Sequence, residues 1–375
     1  MIAQSHPLPI SRRLRRAVPG LVDPLIAAAS ARPEADRYRK HFTTAAHLQI
    51  LLDHALSGSN SLRQTHAGVD LAAETWGAYG LAKRISLSQL ARSSTSRPSA
   101  CLETVAQGLL AQVPVRRGDP VVARAWARDS SFFTLSAKRS PWSRHGQHVP
   151  GLRVHTDYDL ARAVPTQLDW TTADTHDLRH LAETDLTALA GWTVVLDVGY
   201  YGHALFHRLM EHGVDFICPA QPQATVQFET FAPIGYGRMT PNGDRIVRDV
   251  TITLGSPNNR HGAVLPHLRL ITSCDPRGTY HSLITSRFDL LPEDVVMLYH
   301  QRWQIELFFR AVKHQLGGLH PLGTSLEAVW ATILLAMICW ALQALLEEIQ
   351  PPSVSNVAWL RAIAHNLTPH LRFSG

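Results

Sequence analysis

One predicted helix carries polar side chains that could act together on a phosphate ester. Its sequence, YHQRWQIELFFRAVK, contains Tyr299, Arg302, Glu306 and Lys313. When each residue advances about 100° around the helix axis, these four lie within a strip about 60° wide, which Trp303 borders. A simple surface pair explains Arg302 and Glu306 but leaves the tyrosine and the lysine unexplained. The pattern therefore favours a site in which an acid lies beside two cations and an aromatic ring.

Two aspartates that precede this helix could complete a metal site. Asp129 lies inside the strand-like run ARDSSFFTL, and Asp197 ends the apolar run TVVLD. Each one alone is more simply explained as a residue that caps a turn, although open α/β sheets place ligands at the carboxyl ends of their strands. With Glu306 they supply three hard oxygen donors, which can hold two Mg²⁺ ions about 4 Å apart for an in-line displacement at phosphorus.

Other polar side chains compete for these roles. Asp157 and Asp159, in HTDYDL, could replace Asp129 as the first metal ligand. His203 and His207 are four residues apart on one helix face, but the sequence offers them no obvious third zinc ligand. The four cysteines lie far apart without a CxxC pair, which favours reduced thiols and a cytoplasmic protein.

The runs that carry these residues resemble a known family. The spacing in YHQRWQIELFFRAVK matches Y-x2-R-x3-E-x6-K, and the chain is similar to the bacterial DDE transposases of insertion-sequence family four. DVGYYGHALFHRLMEHGVDFI resembles the second aspartate block of that family, and ARDSSFFTL resembles its first aspartate strand. The resemblance covers residues 120–346, with a weaker likeness over 41–112. It implies that Asp129, Asp197 and Glu306 are the catalytic residues and hold the two Mg²⁺ ions, for which Mn²⁺ can substitute.

The same resemblance implies a nucleic acid partner. It assigns contacts with DNA ends to Tyr299, Arg302 and Lys313, to which the aromatic face of Trp303 can be added as a rest for an unstacked base. Trp303 also borders the apolar side of the helix at Leu307, so a role as a core residue stays open. The expected partners are double-stranded DNA, as element terminal inverted repeats and target DNA, and a second copy of the chain in a synaptic complex; no membrane partner is expected.

The order of strands and helices predicts an α/β fold, a mixed sheet flanked by helices, with a β-rich insertion and a helical N-terminal region. The resemblance implies that its core is RNase H-like. The expected segments are a helical, basic DNA-binding region at 1–119, the first part of the core with both aspartates at 120–220, a β-rich insertion outside the core sheet at 221–285, the second part of the core at 286–346 and a tail at 347–375. A single long helix should begin at Pro292, which suits a first helical turn, and end before Gly317.

Charge and hydropathy refine this outline. Residues 1–120 contain 15 Lys and Arg against 8 Asp and Glu, whereas 121–375 contain 21 against 22. A basic first third beside a neutral body indicates a part that binds a polyanion and a separate working part, although a solubilising tail explains the charge equally well. The run AVWATILLAMICWALQALL, 328–346, is about as long as a membrane span, but it is acidic at its flanks and is predicted to be a buried core helix.

The function that the resemblance implies is Mg²⁺-dependent cleavage of insertion-sequence ends and strand transfer into target DNA, by a cut-and-paste hairpin route. Two alternatives stay open: a catalytically silent DNA-binding protein derived from such an enzyme, and a metal-dependent DNA nuclease of the same fold. The complete set of three acids and the full signature disfavour the silent protein.

Overall fold

The computed structural model describes residues 20–57, 59–70, 73–115, 120–144, 148–175, 177–229, 237–256, 264–315 and 321–346. The expected tail, 347–375, and the first 19 residues of the basic N-terminal region lie outside them. The helices are α1 Asp23–Ser30, α2 Thr44–Ser57, α3 Leu62–Val69, α4 Ala73–Ala78, α5 Leu87–Ser96, α6 Ala100–Gln112, α7 Asp177–Glu183, α8 His203–Glu211, α9 Pro292–Gln301, α10 Trp303–Arg310 and α11 Leu326–Leu346.

The chain forms two compact units. The first, here the helical unit, comprises Met1–Pro114, Ser136–Trp142 and Phe308–Gly375; the second, the sheet unit, comprises Val115–Leu135 and Ser143–Leu307. This division differs from the five segments expected from the sequence, because the C-terminal helix joins the N-terminal helices. The roles expected for those segments stay predictions.

The long apolar helix α11 is a core helix of the helical unit. It packs against α2, α5 and α6. In the part of the chain that the structure describes, one helix, Leu326–Leu345, is long and apolar enough to cross a membrane, and 83% of that window is buried. The Trp330 indole donates to Glu103 over 2.9 Å, and Glu327 accepts from the Ser99 N–H over 2.9 Å. This burial agrees with the predicted core helix.

The sheet unit contains one mixed sheet of nine strands. Its spatial order is β3-β2-β1-β4-β5-β9-β8-β7-β6. The strands are β1 Ala125–Thr134, β2 Gly151–Asp159, β3 Val164–Thr172, β4 Thr193–Val195, β5 Asp215–Pro219, β6 Val226–Phe228, β7 Arg245–Leu254, β8 Leu265–Cys274 and β9 Tyr280–Thr285. Strand β4 is parallel to β1 and β5, and the other neighbours are antiparallel. The predicted mixed α/β sheet with flanking helices is therefore confirmed.

The apolar core of this unit lies between the sheet and its helices. In α8, the buried side chains Leu205, Phe206 and Leu209 recur at helical spacing and face the sheet. The ring of Phe206 stacks on that of Phe216 in β5, with centroids 4.2 Å apart. This contact fixes the helix that follows the second aspartate.

The segment 221–285 is rich in strands, as expected, but it does not lie outside the core sheet. Strand β9 pairs with β5 from Ile217↔Thr285 to Pro219↔Leu283. The Thr285 hydroxyl also donates to the Phe216 carbonyl over 2.6 Å. The expectation of a separate insertion was wrong because turn residues reveal where strands begin and end, whereas the strand that accepts them is selected by long-range pairing.

A buried ion pair in these added strands fixes the approach to α9. The Arg269 guanidinium donates to both oxygens of Asp249, over 2.7 and 2.6 Å. Its remaining nitrogen donates to the carbonyls of Arg287 and Leu290, over 3.1 and 2.6 Å. Because both partners are buried, this contact ties the loop before the helix to β7 and β8.

The predicted long helix begins as expected but is interrupted. Pro292 occupies the first turn of α9, with Glu293 and Asp294 beside it. The helix ends at Gln301, α10 follows from Trp303, and a π-helical turn occupies Ala311–Gln315. The Arg302 N–H donates to the Tyr299 carbonyl, a bond three residues back that tightens the backbone at this point.

The buried ion pair gives a first prediction. Arg269→Ala should lower the free energy of unfolding by about 3–5 kcal/mol, because it leaves the Asp249 carboxylate buried without its cation. Arg248→Ala removes an exposed arginine that neighbours Asp249 in β7, and it should cost less than about 1 kcal/mol. Urea unfolding of the two variants measures the difference, and equal losses would contradict the positioning role of Arg269.

Candidate active site

Adjacent parallel strands bring the two aspartates to the same edge of the sheet. The last paired residues of β1 and β4 are Ala127↔Val195. Asp129 and Asp197 each lie two residues further along, so both extend beyond this pairing in the same direction. The parallel register therefore makes these two acids neighbours.

The backbone around each aspartate also holds its side chain. Asp197 precedes a short 3₁₀ turn and accepts a hydrogen bond from the Gly199 N–H over 2.8 Å. Asp129 accepts from the N–H of Ser130 over 2.7 Å. Asp197 therefore does cap a turn, as the simpler interpretation predicted, and it also lies next to Asp129.

The segment around the helix interruption brings Tyr299, Arg302 and Glu306 to these acids. Arg302 Nη2 donates to Glu306 Oε1 over 2.6 Å, and Nη1 donates to Asp129 Oδ2 over 3.4 Å. The guanidinium carbon also lies 5.8 Å from the centroid of the Tyr299 ring. The predicted strip of Tyr, Arg and Glu is therefore real, and its arginine bridges two of the three candidate metal ligands.

The environment of Asp129 favours its neutral form. Burial raises the pKa of the Asp129 carboxyl to about 7, against the smaller lowering effect of the Ser130 N–H. The charges of Asp197 and Glu306 raise this pKa further, whereas Arg302 lowers it. The three acids thus interact electrostatically in the sheet unit, and negative charge accumulates where they meet.

Arg302 offsets part of this charge. Burial alone would lower the pKa of Arg302, but Tyr299, the hydrogen bond to Glu306 and the charge of Asp129 together raise it above its ordinary value. Its side chain is 14% exposed, compared with 17% for Asp129 and 31% for Glu306. The guanidinium therefore stays charged, and it is held between the two acids.

Two predicted DNA contacts lie in different surroundings. Trp303 is 51% exposed and its neighbour Leu307 is 41% exposed, which disagrees with a core role for the tryptophan. Lys313 belongs to the helical unit, in the π-helical turn, where burial lowers the pKa of its amine. Within the sheet unit, the signature residues that meet the aspartates are therefore Tyr299, Arg302 and Glu306.

The competing ligands are engaged elsewhere. Asp157 lies 2.9 Å from the buried Arg128 guanidinium, and burial raises the pKa of Asp157 to about 6. Asp159 accepts from the N–H groups of Ala161 and Arg162, over 2.9 Å each, and so caps a turn. These contacts give both acids structural roles at the C-terminal end of β2.

The histidine alternative has no metal geometry either. His207 lies 3.2 Å from Glu211 on the same helix, as an exposed pair. Across the described ranges, no group of three or more His, Cys, Asp and Glu side chains is arranged to hold a metal ion. The zinc interpretation of His203 and His207 therefore gains no support.

One residue near the acids was not assigned a role from the sequence. The buried Cys218 thiol, in β5, contacts the Asp197 carbonyl with a sulfur–oxygen distance of 3.4 Å. Burial raises the pKa of this thiol, so it stays protonated and can act as the donor. Its packing supports the backbone of the second aspartate, and no sequence spacing distinguishes it from the other three free cysteines.

Comparison with known proteins identifies the family. The model of the Transposase DDE domain family matches residues 123–342, more than half of the chain. The chain belongs to this family. The match confirms the general resemblance to DDE transposases, and the specific assignment to insertion-sequence family four stays a prediction.

Two curated relatives agree with this membership. A protein of Geobacillus stearothermophilus named as a transposase for insertion sequence element IS5377 is 26% identical over 214 residues, which are 57% of this chain and 54% of that protein. The protein y4zB of Sinorhizobium fredii, also named as a transposase, is 27% identical over 215 residues, 57% of this chain and 58% of that protein. The chain thus spans little more than half the length of these relatives.

A solved structure was also compared. It is titled as a cryo-EM structure of a piggyBac transposase synaptic complex with hairpin DNA, and it is 9% identical in sequence. The match covers 96% of this chain and 77% of that chain, with a TM-score of 0.45. A TM-score below 0.5 is too low to bear on the fold or the function of this DDE transposase family member.

DDE transposase domains generally use divalent metal ions, so the acids can be tested as a donor set. Asp129, Asp197 and Glu306 offer only carboxylate oxygens, the ligands that suit Mg²⁺ and Mn²⁺. Burial raises the pKa of Asp129, and the charges of Asp197 and Glu306 add smaller increases. The residue types therefore fit a hard divalent ion, although in the described arrangement Arg302 takes up one oxygen of Asp129 and one of Glu306.

The raised pKa of Asp129 gives a second prediction. A carboxyl whose folded pKa is raised from 3.8 to about 7 contributes stability at pH below 3.8, and this contribution is lost as the pH rises through 7. Asp129→Asn, which stays neutral, should therefore stabilise the metal-free protein more at pH 8 than at pH 5. Urea unfolding in the presence of a chelator at the two pH values measures this gain.

The control for this experiment is Asp185→Asn, at an exposed turn where hydrogen bonds to Thr187 lower the pKa of the carboxyl. This variant should gain nothing as the pH rises. A gain for Asp129→Asn that is the same at both pH values would show that Asp129 does not titrate in this range.

Proposed function

We propose that this protein is a DDE transposase of insertion-sequence family four, which cleaves the ends of its element and joins them to target DNA. The observation that carries the proposal is the contact of Arg302 with both Asp129 and Glu306, next to Asp197, in one unit of a chain that belongs to the transposase DDE domain family. Asp197 and Glu306 both act electrostatically on Asp129 there, and the three acids come from separate elements. Their oxygens are the type of ligand that a metal-dependent phosphoryl-transfer site requires.

In this proposal the three acids hold two Mg²⁺ ions. A divalent ion held by these residues would activate a water or hydroxyl and would stabilise the leaving oxygen of an in-line displacement. Burial raises the pKa of Asp129 to about 7, and only the deprotonated carboxylate of this residue would act as a ligand. Arg302 contacts Glu306 and lies against the Tyr299 ring, and in this proposal the two residues orient a phosphate of the DNA strand.

The substrates proposed are the terminal inverted repeats of the element and its target DNA. The first attack nicks each 3′ end, the freed 3′-hydroxyl closes a hairpin on the element end, and a reopened end is transferred to the target. The basic N-terminal region contacts duplex DNA, the catalytic core is RNase H-like, and two copies of the chain act in a synaptic complex in the bacterial cytoplasm. The excess of positive charge in residues 1–120 supports the DNA contact.

The metal assignment gives a third prediction, which tests the proposed function directly. With inverted-repeat DNA from the flanks of the coding region and Mg²⁺, Glu306→Gln and Asp197→Ala should each lower nicking at least about a hundredfold, because each removes a metal ligand. End binding in a gel-shift assay should persist. The matched control is Glu183→Gln, since Glu183 also pairs with an arginine four residues before it, Arg179, but on an exposed helix face.

The products of the same reaction separate the proposal from its alternatives. Joined products together with nicks support a transposase. Nicks without joined products indicate a nuclease, and binding without Mg²⁺-dependent nicks indicates a silent DNA-binding protein. Near-normal nicking by Asp197→Ala would refute the assignment of the triad.

The exposed indole of Trp303 gives a fourth prediction. A hairpin at a DNA end leaves at least one base unstacked, at a cost of a few kcal/mol unless an aromatic face receives it. Trp303→Ala should therefore spare the first nick but slow hairpin formation about tenfold or more. Because the side chain is half exposed, its loss should change the melting temperature little.

The control for Trp303→Ala is Trp170→Ala, which removes another partly exposed tryptophan from the same unit, in β3. It should leave both steps unchanged. If Trp303→Ala melts much earlier and loses nicking and hairpin formation equally, the ring has a structural role and the base-stacking role is wrong.

A further inference from the structure

The Arg302 side chain bridges two acids that the proposed function assigns to a metal. Its Nη2 lies 2.6 Å from Glu306 Oε1 and its Nη1 lies 3.4 Å from Asp129 Oδ2. The arginine comes from the interruption between α9 and α10, the glutamate from α10, and the aspartate from β1. Within the sheet unit, the Arg302 cation therefore connects α10 to strand β1.

The same oxygens cannot serve both cations fully. A divalent ion bound by Asp129 and Glu306 needs lone pairs of these carboxylates, and the guanidinium already occupies one oxygen of each. A positive charge at this distance also lowers the affinity of the acids for a second cation. A metal ion must therefore compete with the Arg302 guanidinium for these carboxylate oxygens.

The arginine is not fully satisfied where it lies. Its buried Nε has no hydrogen-bond partner among the described residues, so one donor of the planar fork is unused. An unpaired buried donor is costly. A phosphate can accept two parallel bonds from the fork of a guanidinium, which the present bridge does not provide. The Arg302 guanidinium would therefore form more hydrogen bonds with a DNA phosphate than it forms with the two acids.

We propose that Arg302 is an internal counter-ion, which occupies Asp129 and Glu306 in the DNA-free protein and weakens metal binding until a DNA phosphate takes its guanidinium. This role rests on the proposed function. It couples substrate binding to metal binding, because DNA that removes Arg302 from the acids also raises their affinity for the divalent ion. The site then assembles fully only on its substrate.

The experiment titrates the full-length, DNA-free protein with Mn²⁺ alone in a calorimeter. Arg302→Gln should bind Mn²⁺ about tenfold or more tightly than the wild type, since a nearby positive charge is lost. Asp129→Asn in the Arg302→Gln background should abolish this gain. The matched control is Arg179→Gln, which removes the same charge from an exposed pair with Glu183 at the same spacing and should leave the dissociation constant unchanged.

A second variant covers the case in which Arg302→Gln does not fold. Arg302→Lys keeps the charge, but one ammonium group cannot donate to Asp129 and Glu306 from two separate nitrogens as the guanidinium does. The Mn²⁺ affinity of this variant should therefore lie between those of the wild type and of Arg302→Gln. Circular dichroism melts establish which variants are folded.

The outcomes separate this inference from the function on which it rests. If Asp129→Asn weakens Mn²⁺ binding in the wild-type background while both Arg302 variants stay within about twofold of the wild type, the acids hold the metal but the counter-ion role is wrong. If Mn²⁺ binding is indifferent to both Asp129→Asn and Glu306→Gln, the metal assignment itself is wrong and the counter-ion role is refuted with it.

Discussion

The burial of the Asp129 carboxyl beside two further acids is the constraint that the rest of the sheet unit must oppose. Asp129 is mostly buried, and the charges of Asp197 and Glu306 both act on it. Acids in such surroundings move apart or become protonated unless their backbones are fixed. The fold prevents separation in two ways. It places each acid on an element anchored elsewhere, and it inserts the Arg302 cation between two of them.

The anchors of these elements lie away from the acids. Strand β1 pairs with β2 from Trp126 to Thr134, so Asp129 is held by ladder bonds on both sides of its position. The neighbouring Arg128 points into the buried side, where it meets Asp157 and Thr184. On the other side of the sheet, the Arg269–Asp249 pair ties down the loop before α9. The arginines of these two anchors are thus each paired with a buried aspartate.

The parts of the site that depend on local periodicity were predictable from the sequence. Tyr299, Arg302 and Glu306 lie within eight positions, so helical spacing alone places them on one side even though the helix is interrupted at Arg302. Their meeting with Asp129 was inferred from the chemistry of a two-metal site and from the family resemblance, because spacing says nothing about residues 173 positions apart. The contact between those two was not foreseen at all, since spacing along one helix cannot show which strand lies opposite.

Long-range pairing also explains the errors in the predicted architecture. Strand β9 pairs with β5. Helix α11 packs against helices that precede it by more than two hundred residues, and the Trp330 indole donates to Glu103. Turn residues and hydropathy identify such helices and strands correctly, but neither shows which other element each one packs against. The nature of the elements was therefore predictable from the sequence, whereas their division into a sheet unit and a helical unit was not.

The interruption and the π-helical turn have a consequence for how the four-residue signature is understood. A rotation of about 100° per residue predicts the position of a side chain around the helix axis only while the α-helical hydrogen-bond pattern is regular. It holds well enough for Arg302 and Glu306, four residues apart. It no longer applies to Lys313, which lies within the π-helical turn, and the unit boundary falls between Leu307 and Phe308. The spacing Y-x2-R-x3-E-x6-K therefore combines two kinds of constraint: the first three residues share one face in one unit, and the lysine is placed by a turn of different geometry in the other.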